Sequence, residues 1–294
     1  MIRKIPAHIS AVSSIAFDRT GKKVFTASLR QCAMKCFDAR TGIPTLKMPI
    51  QARREPLIRG PLTRIGDIVI GARSDGSVVA CNARSRNPSL ALPKLPPAIA
   101  ALVGSQNLLF CGTPSGDVQT WDISQGVFLP LLRVKAHIDA LCASPDNRSL
   151  YVAAGSAVSC WETATRELVW RVDLPDPRGV SLSPDGQHLY VVLRRTGLAC
   201  LDTATGSIVW RESIPCIDAD ATLSPSGRWL FFPSVTGNGL DWRRVGPEGV
   251  SQRTRLLDAH PSRINVMGVS ADGTTLCTGG VDGTVVLWSV GELE

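Results

Sequence analysis

Aromatic side chains are scarce in this chain: seven Trp, seven Phe and two Tyr make up 5% of 294 residues. Proteins that hold single-stranded nucleic acid stack its bases on such rings. Direct, sequence-specific reading of nucleic acid is therefore not expected. Histidine is rarer, at four. A zinc centre or an activated nucleophile needs convergent ligands or a His-oriented Ser or Cys. Instead His8, His137 and His260 recur at one repeat position, where they read as structural, and His188 falls in a hairpin turn. Segments of helical period are lacking, and with them any glycine loop that cradles phosphate at a helix start. No stretch approaches 18 uncharged apolar residues, and Met1 to His8 contain no apolar run of signal-peptide length. The expectation is a soluble protein, not secreted, in the cytoplasm or nucleus, with no membrane partner.

Lysine is outnumbered by arginine, 7 to 25, within a net charge of +7. Arginine pairs bidentately with carboxylates and phosphates, which favours acidic or phosphorylated partners. The nine cysteines are an odd number and cannot all pair. Cys36, Cys160 and Cys200 stand two positions before the closing Asp or Glu of three repeats, as small apolar strand residues of a reducing compartment would. Cys32 and Cys36 lie four apart without a second pair to complete a metal site. Carboxylates recur mainly in turns, and no pair is singled out for acid/base work. No metal, cofactor or catalytic residue is expected.

What the chain has is a repeat. Seven apolar segments end in a Trp/Asp-like pair, at Phe37-Asp38, Cys81-Asn82, Trp121-Asp122, Trp161-Glu162, Leu201-Asp202, Leu240-Asp241 and Trp288-Ser289. The second members are 44, 40, 40, 40, 39 and 48 residues apart. A period of about 40 to 45 residues with this ending marks a four-stranded propeller blade. Within each unit a first strand leads to a Ser-Pro-Asp-Gly type turn, as at Ser144, Ser183, Ser224 and Ser270. A second strand then reaches another tight turn, such as Pro114-Ser-Gly116 or Val281-Asp-Gly283. The third runs to the Trp/Asp pair, and a turn such as Asp38-Ala-Arg-Thr-Gly42 enters the fourth. Longer connections are expected at 53–56, 93–97 and 243–249.

The seventh unit stops after its third strand, while Ile2-Arg-Lys-Ile-Pro-Ala-His8 is similar to Leu256-Leu-Asp-Ala-His260. The N-terminal strand is therefore predicted to complete the last blade and remove two open sheet edges. The fold class is all-β: one domain over 1–294, a seven-bladed propeller of four-stranded antiparallel blades.

At this level the whole chain resembles the WD40 family. In the seventh unit His260, Thr278, Asp282 and Trp288 fall where that family places a buried His, Ser/Thr, Asp and Trp hydrogen-bond chain, whose role is structural. The first unit keeps His8 and Thr26 but has Arg30 and Phe37 for Asp and Trp; the fourth keeps His137 and Trp161 without the Asp. The middle is also similar to the repeats of quinoprotein and outer-membrane-assembly propellers. That likeness rests on Cys160-Trp-Glu-Thr-Ala-Thr-Arg-Glu-Leu-Val-Trp170 and Cys200-Leu-Asp-Thr-Ala-Thr-Gly-Ser-Ile-Val-Trp210. Trp170 and Trp210 are predicted to pack between blades.

Propellers of this resemblance use the face formed by blade-entry loops and second-to-third turns. It implies a candidate partner-binding rim of Arg30, Arg73, Arg194 and Arg195 from the turns, with Arg53, Arg54, Arg178 and Arg263 from the entry loops. Glu55, Asp139, Asp176 and Asp218 share that face and mix its field. The reading is a non-catalytic interaction scaffold, a monomeric propeller within a hetero-complex, binding proteins through acidic or phosphorylated segments. Ribonucleoprotein assembly, with indirect or backbone RNA contact, suits the basic charge best. Substrate-receptor and signalling adaptors stand close behind, and a quinoprotein-like or other channel-based enzyme is the alternative from another class.

Overall fold

The structure, a computed structural model, describes residues 3–28, 30, 34–46, 58–73, 75–84, 95, 99–214, 221–234, 238–246, 249–250, 255–258 and 260–290. Every regular element among them is a β-strand, and the strands follow one another in antiparallel sheets. Val12–Phe17, Lys23–Ser28, Lys35–Asp38 and Pro44–Leu46 form blade 1 in that order. Blade 2 shows three strands among the described residues, Ile58–Ile65, Ile68–Arg73 and Val78–Asn82. Ala101–Ser105, Leu108–Gly112, Asp117–Asp122 and Val127–Arg133 make blade 3. Blade 4 comprises Ile138–Ala143, Ser149–Ala154, Ala157–Glu162 and Leu168–Asp173. Blade 5 comprises Pro177–Leu182, His188–Leu193, Gly197–Asp202 and Ile208–Glu212.

Blade 6 departs from the expected turn at 243–249. Its third strand, Gly239–Gly246, continues through those arginines and makes a tight hairpin with Gly249–Val250, pairing Val245 with Val250. Arg255–Asp258 pairs with the same strand, and Thr222–Leu223 and Trp229–Pro233 precede it. An added hairpin thus accounts for the longest repeat. In blade 7, Ile264–Val269, Thr275–Gly280 and Thr284–Ser289 are completed by Arg3–Pro6, with Arg3 opposite Leu287 and Pro6 opposite Thr284. The predicted closure by the N-terminal strand is present. The described strands form the seven antiparallel blades that the repeat implied.

Two compact units divide the chain. The first comprises Met1–Ile99, Thr236–Gly239 and Asp258–Glu294 and carries blades 7, 1 and 2. The second comprises Ala100–Val235 and Leu240–Leu257 and carries blades 3 to 6. Within each, the core lies between neighbouring blades, because successive strand residues point to opposite sheet faces. In blade 4, Leu150, Val152 and Ala154 pack with Phe110 and Val118 of blade 3. The alternate Tyr151 and Ala153 pack with Leu189 and Val191 of blade 5. Val24 and Phe25 of blade 1 divide the same way, towards blades 7 and 2. Trp170 and Trp210 pack between blades as predicted: Trp170 Nε1 donates to Thr203 O at 2.9 Å, and Trp210 Nε1 donates to Gly246 O at 3.0 Å.

The Asp of the Trp/Asp ending caps the following turn. Asp38 Oδ1 accepts from Thr41 N and Thr41 Oγ1, both at 2.7 Å, and Asp202 Oδ1 accepts from Thr205 N and Oγ1 at 2.8 and 2.7 Å. These donors hold both carboxyls below the usual carboxylate range. The Gly four residues on is left-handed, as at Gly42 (φ 71°) and Gly206 (φ 74°). In blade 4, Arg166 adopts that conformation instead, at φ 65°.

Candidate protein-binding site

His260, Thr278 and Trp288 meet inside blade 7. His260 Nε2 lies 2.8 Å from Thr278 Oγ1, and Trp288 Nε1 donates to that oxygen at 2.9 Å. All three are buried. Asp282 does not complete the chain: it accepts from Thr284 N at 3.1 Å and Thr284 Oγ1 at 2.8 Å, while His260 Nδ1 has no hydrogen-bond partner. A Cβ on Gly280 would fall 2.5 Å from Asp282 Oδ1 and 2.9 Å from His260 Nδ1, so only glycine leaves room where these side chains approach. The Asp is spent on its own tight turn.

Burial pushes the His260 pKa down to about 4, against the opposing pull of the Asp282 charge. The unfolded chain, with an ordinary His pKa of about 6.5, therefore takes up a proton first as pH falls. Stability is intact above pH ~6.5 and declines towards pH ~4, by up to about 3 kcal/mol. Thermal melts from pH 7 to 4.5 should show this loss, and His260→Gln should flatten the slope relative to its own pH 7 value. The turn carboxylates, whose pKa values are depressed below 3.8, act in a lower window.

The partial copies elsewhere fare differently. His8 Nε2 is 2.8 Å from Thr26 Oγ1, and both are buried. His137 is not a buried blade residue: its side chain is 53% exposed, with Nδ1 3.5 Å from Asp139 Oδ1. Without a Thr on the facing strand, Trp161 Nε1 turns to Ser159 Oγ at 2.8 Å. In blade 3, Cys111 occupies the position of Thr278, and buried Trp121 Nε1 has no partner. Described cysteines are free thiols; burial raises Cys36 to about 11 and Cys111 to about 12, far from a nucleophilic thiolate.

The arginine rim divides between the two units. The first holds Arg30 and Arg263, both exposed, and half-buried Arg73; Arg53 and Arg54 lie outside the described residues, as do Glu55 and Asp218. The second holds Arg178, Arg194 and Arg195. Arg178 Nη1 contacts Asp139 Oδ1, and its Nε lies 3.0 Å from Asp176 Oδ1. Arg194 Nη1 is 4.0 Å from Asp176 Oδ2. The Asp139 side chain, 9% exposed, lies against Arg178, so this pair joins blade 4 to blade 5. Asp139 and Asp176 offset Arg178 and Arg194, leaving the patch less basic than its arginines suggest. Sequence reading placed Asp139 and Asp176 on this face, but not Asp139 against Arg178, because the pair is 39 residues apart and formed only by blade stacking. Among the described residues no group of three His, Cys, Asp or Glu side chains is placed to hold a metal. Among the described residues no helix is long and apolar enough to cross a membrane.

Two family models match separate parts of the chain. Residues 251–289 match the family described as WD domain, G-beta repeat. Residues 98–226 match the one described as outer membrane protein assembly factor BamB. The first covers the blade with the His-Thr-Trp chain, the second the blades anchored by Trp170 and Trp210. Among curated relatives, a guanine nucleotide-binding protein subunit beta of Oryza sativa subsp. japonica is 27% identical over 202 residues, 60% of this chain and 52% of its own. That of Zea mays is 26% identical over 200 residues, with the same shares. An Arabidopsis thaliana subunit beta is 38% identical over 69 residues, 23% of this chain and 18% of its own. The chain thus spans about half the length of the first of these relatives. Repeat pattern, blade structure and matches together make this chain similar to WD-repeat proteins, guanine nucleotide-binding protein beta subunits among them.

Proposed function

We propose that this propeller is a non-catalytic scaffold that holds proteins together within a larger assembly. The observation carrying this reading is the combination of a WD-repeat fold with similarity to proteins named as subunits. The match of its middle blades to an assembly factor supports the same class of role. Burial raises the Cys36 and Cys111 thiols, and His8 and His260 are engaged with Thr26 and Thr278 inside their blades. Buried free cysteines suit a reducing compartment inside the cell.

Protein contact is favoured over phosphate contact because Arg178 and Arg194 are already matched by Asp139 and Asp176. Affinity purification at physiological salt, with and without nuclease, tests this. A stable set of partner proteins that survives nuclease is the expected result. Partners lost with the nuclease would instead support ribonucleoprotein assembly, and a chain that elutes alone would overturn the scaffold reading. Charge reversal at exposed Arg195 should weaken capture only modestly, since one rim charge is worth about 0.2 to 1 kcal/mol.

A further inference from the structure

A cleft of 680 Å³ opens between blades 7 and 1, within the first compact unit, and none of the rim arginines lines it. Its volume is in the range of sites that enclose a small ligand or a few side chains. Three cations from three separate backbone segments line it: Arg3 on the N-terminal strand, Lys22 beyond the first turn of blade 1, and Arg40 in the turn after Asp38. All three are exposed.

Two carboxylates, Asp38 and Asp272, also line the cleft, yet both are committed to their own turns. Asp38 Oδ1 accepts from Arg40 N, Thr41 N and Thr41 Oγ1 at 3.1, 2.7 and 2.7 Å. Asp272 Oδ1 accepts from Ser270 Oγ, Thr274 N and Thr274 Oγ1 at 2.6, 3.0 and 2.9 Å. Arg3 Nη1 donates to Thr41 O at 3.1 Å, which leaves further guanidinium donors directed elsewhere. No ion pair within 4.0 Å engages Lys22 or Arg40 among the described residues.

We infer that this cleft binds an acidic peptide segment, with Arg3, Lys22 and Arg40 each receiving a carboxylate. The inference rests on the protein-interaction reading above and gives it a site that the rim does not. A single phosphate fits less well. The cations are spread over three segments, and Asp38 and Asp272 in the same wall repel a concentrated double charge more than carboxylates spaced along a chain. Because the cations are exposed, binding is salt-dependent and fast.

The test uses dye-labelled hexaglutamate with the full chain, read by fluorescence anisotropy. Lys22→Glu/Arg40→Glu removes two of the cations and spares Arg3, whose bond to Thr41 supports a turn. Arg211→Glu/Arg228→Glu reverses the same charge at exposed positions of the second unit. The cleft pair should weaken hexaglutamate binding about tenfold or more at 0.15 M salt, and the distant pair less than about twofold. Equal loss in both, or no binding by wild type, would overturn the inference, provided melting curves show both variants folded. Displacement of hexaglutamate by inorganic phosphate at comparable concentration would reassign the cleft to phosphate and overturn the peptide. Partner capture by the cleft variant separates the two proposals: captured partners with lost hexaglutamate binding leave the scaffold standing.

Discussion

Replacing Gly283 by alanine should destabilise the chain by several kcal/mol and release its N-terminal strand. Gly283 sits at the second-to-third turn of blade 7 with φ +85°, a region that side-chain-bearing residues rarely adopt. A Cβ there would stand 2.2 Å from His8 O and 2.9 Å from Ser10 O, both backbone atoms that cannot rotate away. His8 N donates to Gly283 O at 2.9 Å, so the incoming chain crosses directly over the glycine. Backbone strain costs about 1 to 3 kcal/mol, and overpacking against fixed atoms adds about 1 to 3 kcal/mol. Gly126→Ala is the control: its φ is +67°, yet nothing lies within 4 Å of its Cβ position, so it carries the conformational cost alone. Thermal melts should rank Gly283→Ala far below Gly126→Ala. Hydrogen exchange should show the backbone amides of residues 3 to 5 and 8 unprotected only in the former. Equal melting of the two variants would mean that the close approach at His8 is not maintained in solution.

Thr278→Val should cost about 2 to 5 kcal/mol, because one hydroxyl serves two buried groups and each orphan costs about 1 to 3 kcal/mol. Removing it strands Trp288 Nε1–H and His260 Nε2 together. Thr26→Val in blade 1 is the matched comparison. Its hydroxyl lies 2.8 Å from His8 Nε2, but Phe37 replaces the Trp, so one orphan fewer is created and the loss is smaller. Equilibrium denaturation should also show Trp288→Phe partly rescuing Thr278→Val, since the double variant no longer buries an unmatched N–H. Strict additivity would show that the Trp288 bond contributes nothing.

Much of the fold was legible because blades punctuate themselves. Gly21, Gly42, Gly186, Gly206 and Gly273 are all left-handed, and the turns read from their neighbours are the turns observed. The return of the N-terminal strand was readable from the likeness between the segments before His8 and His260, since equivalent sequence seeks an equivalent place. Blade 6 was misread because Arg243 and Arg244 look like loop residues, although they extend an edge hairpin where charge is tolerated. The site was less legible. Asp282 has the expected spacing, but its carboxylate is captured by Thr284 two residues on, a local bond that wins over the longer reach to His260. Arg178 looked like a cation offered to solvent until blade stacking placed Asp139 against it. The cleft between blades 7 and 1 was unreadable, since Arg3, Lys22 and Arg40 line one wall only once the two blades stack.

Closure of blade 7 by the N-terminal strand also orders the folding reaction. Blades 1 and 3 to 5 join strands close in sequence and close small loops, but Arg3–Pro6 must find Thr284–Ser289 across nearly the whole polypeptide. Long-range pairing of this kind carries a larger loop-closure cost and is slow to form. On a ribosome Arg3–Pro6 is made long before the edge it pairs with. Until the seventh unit emerges, its partner edge does not exist, and the early blades must wait with their outer face open to other chains.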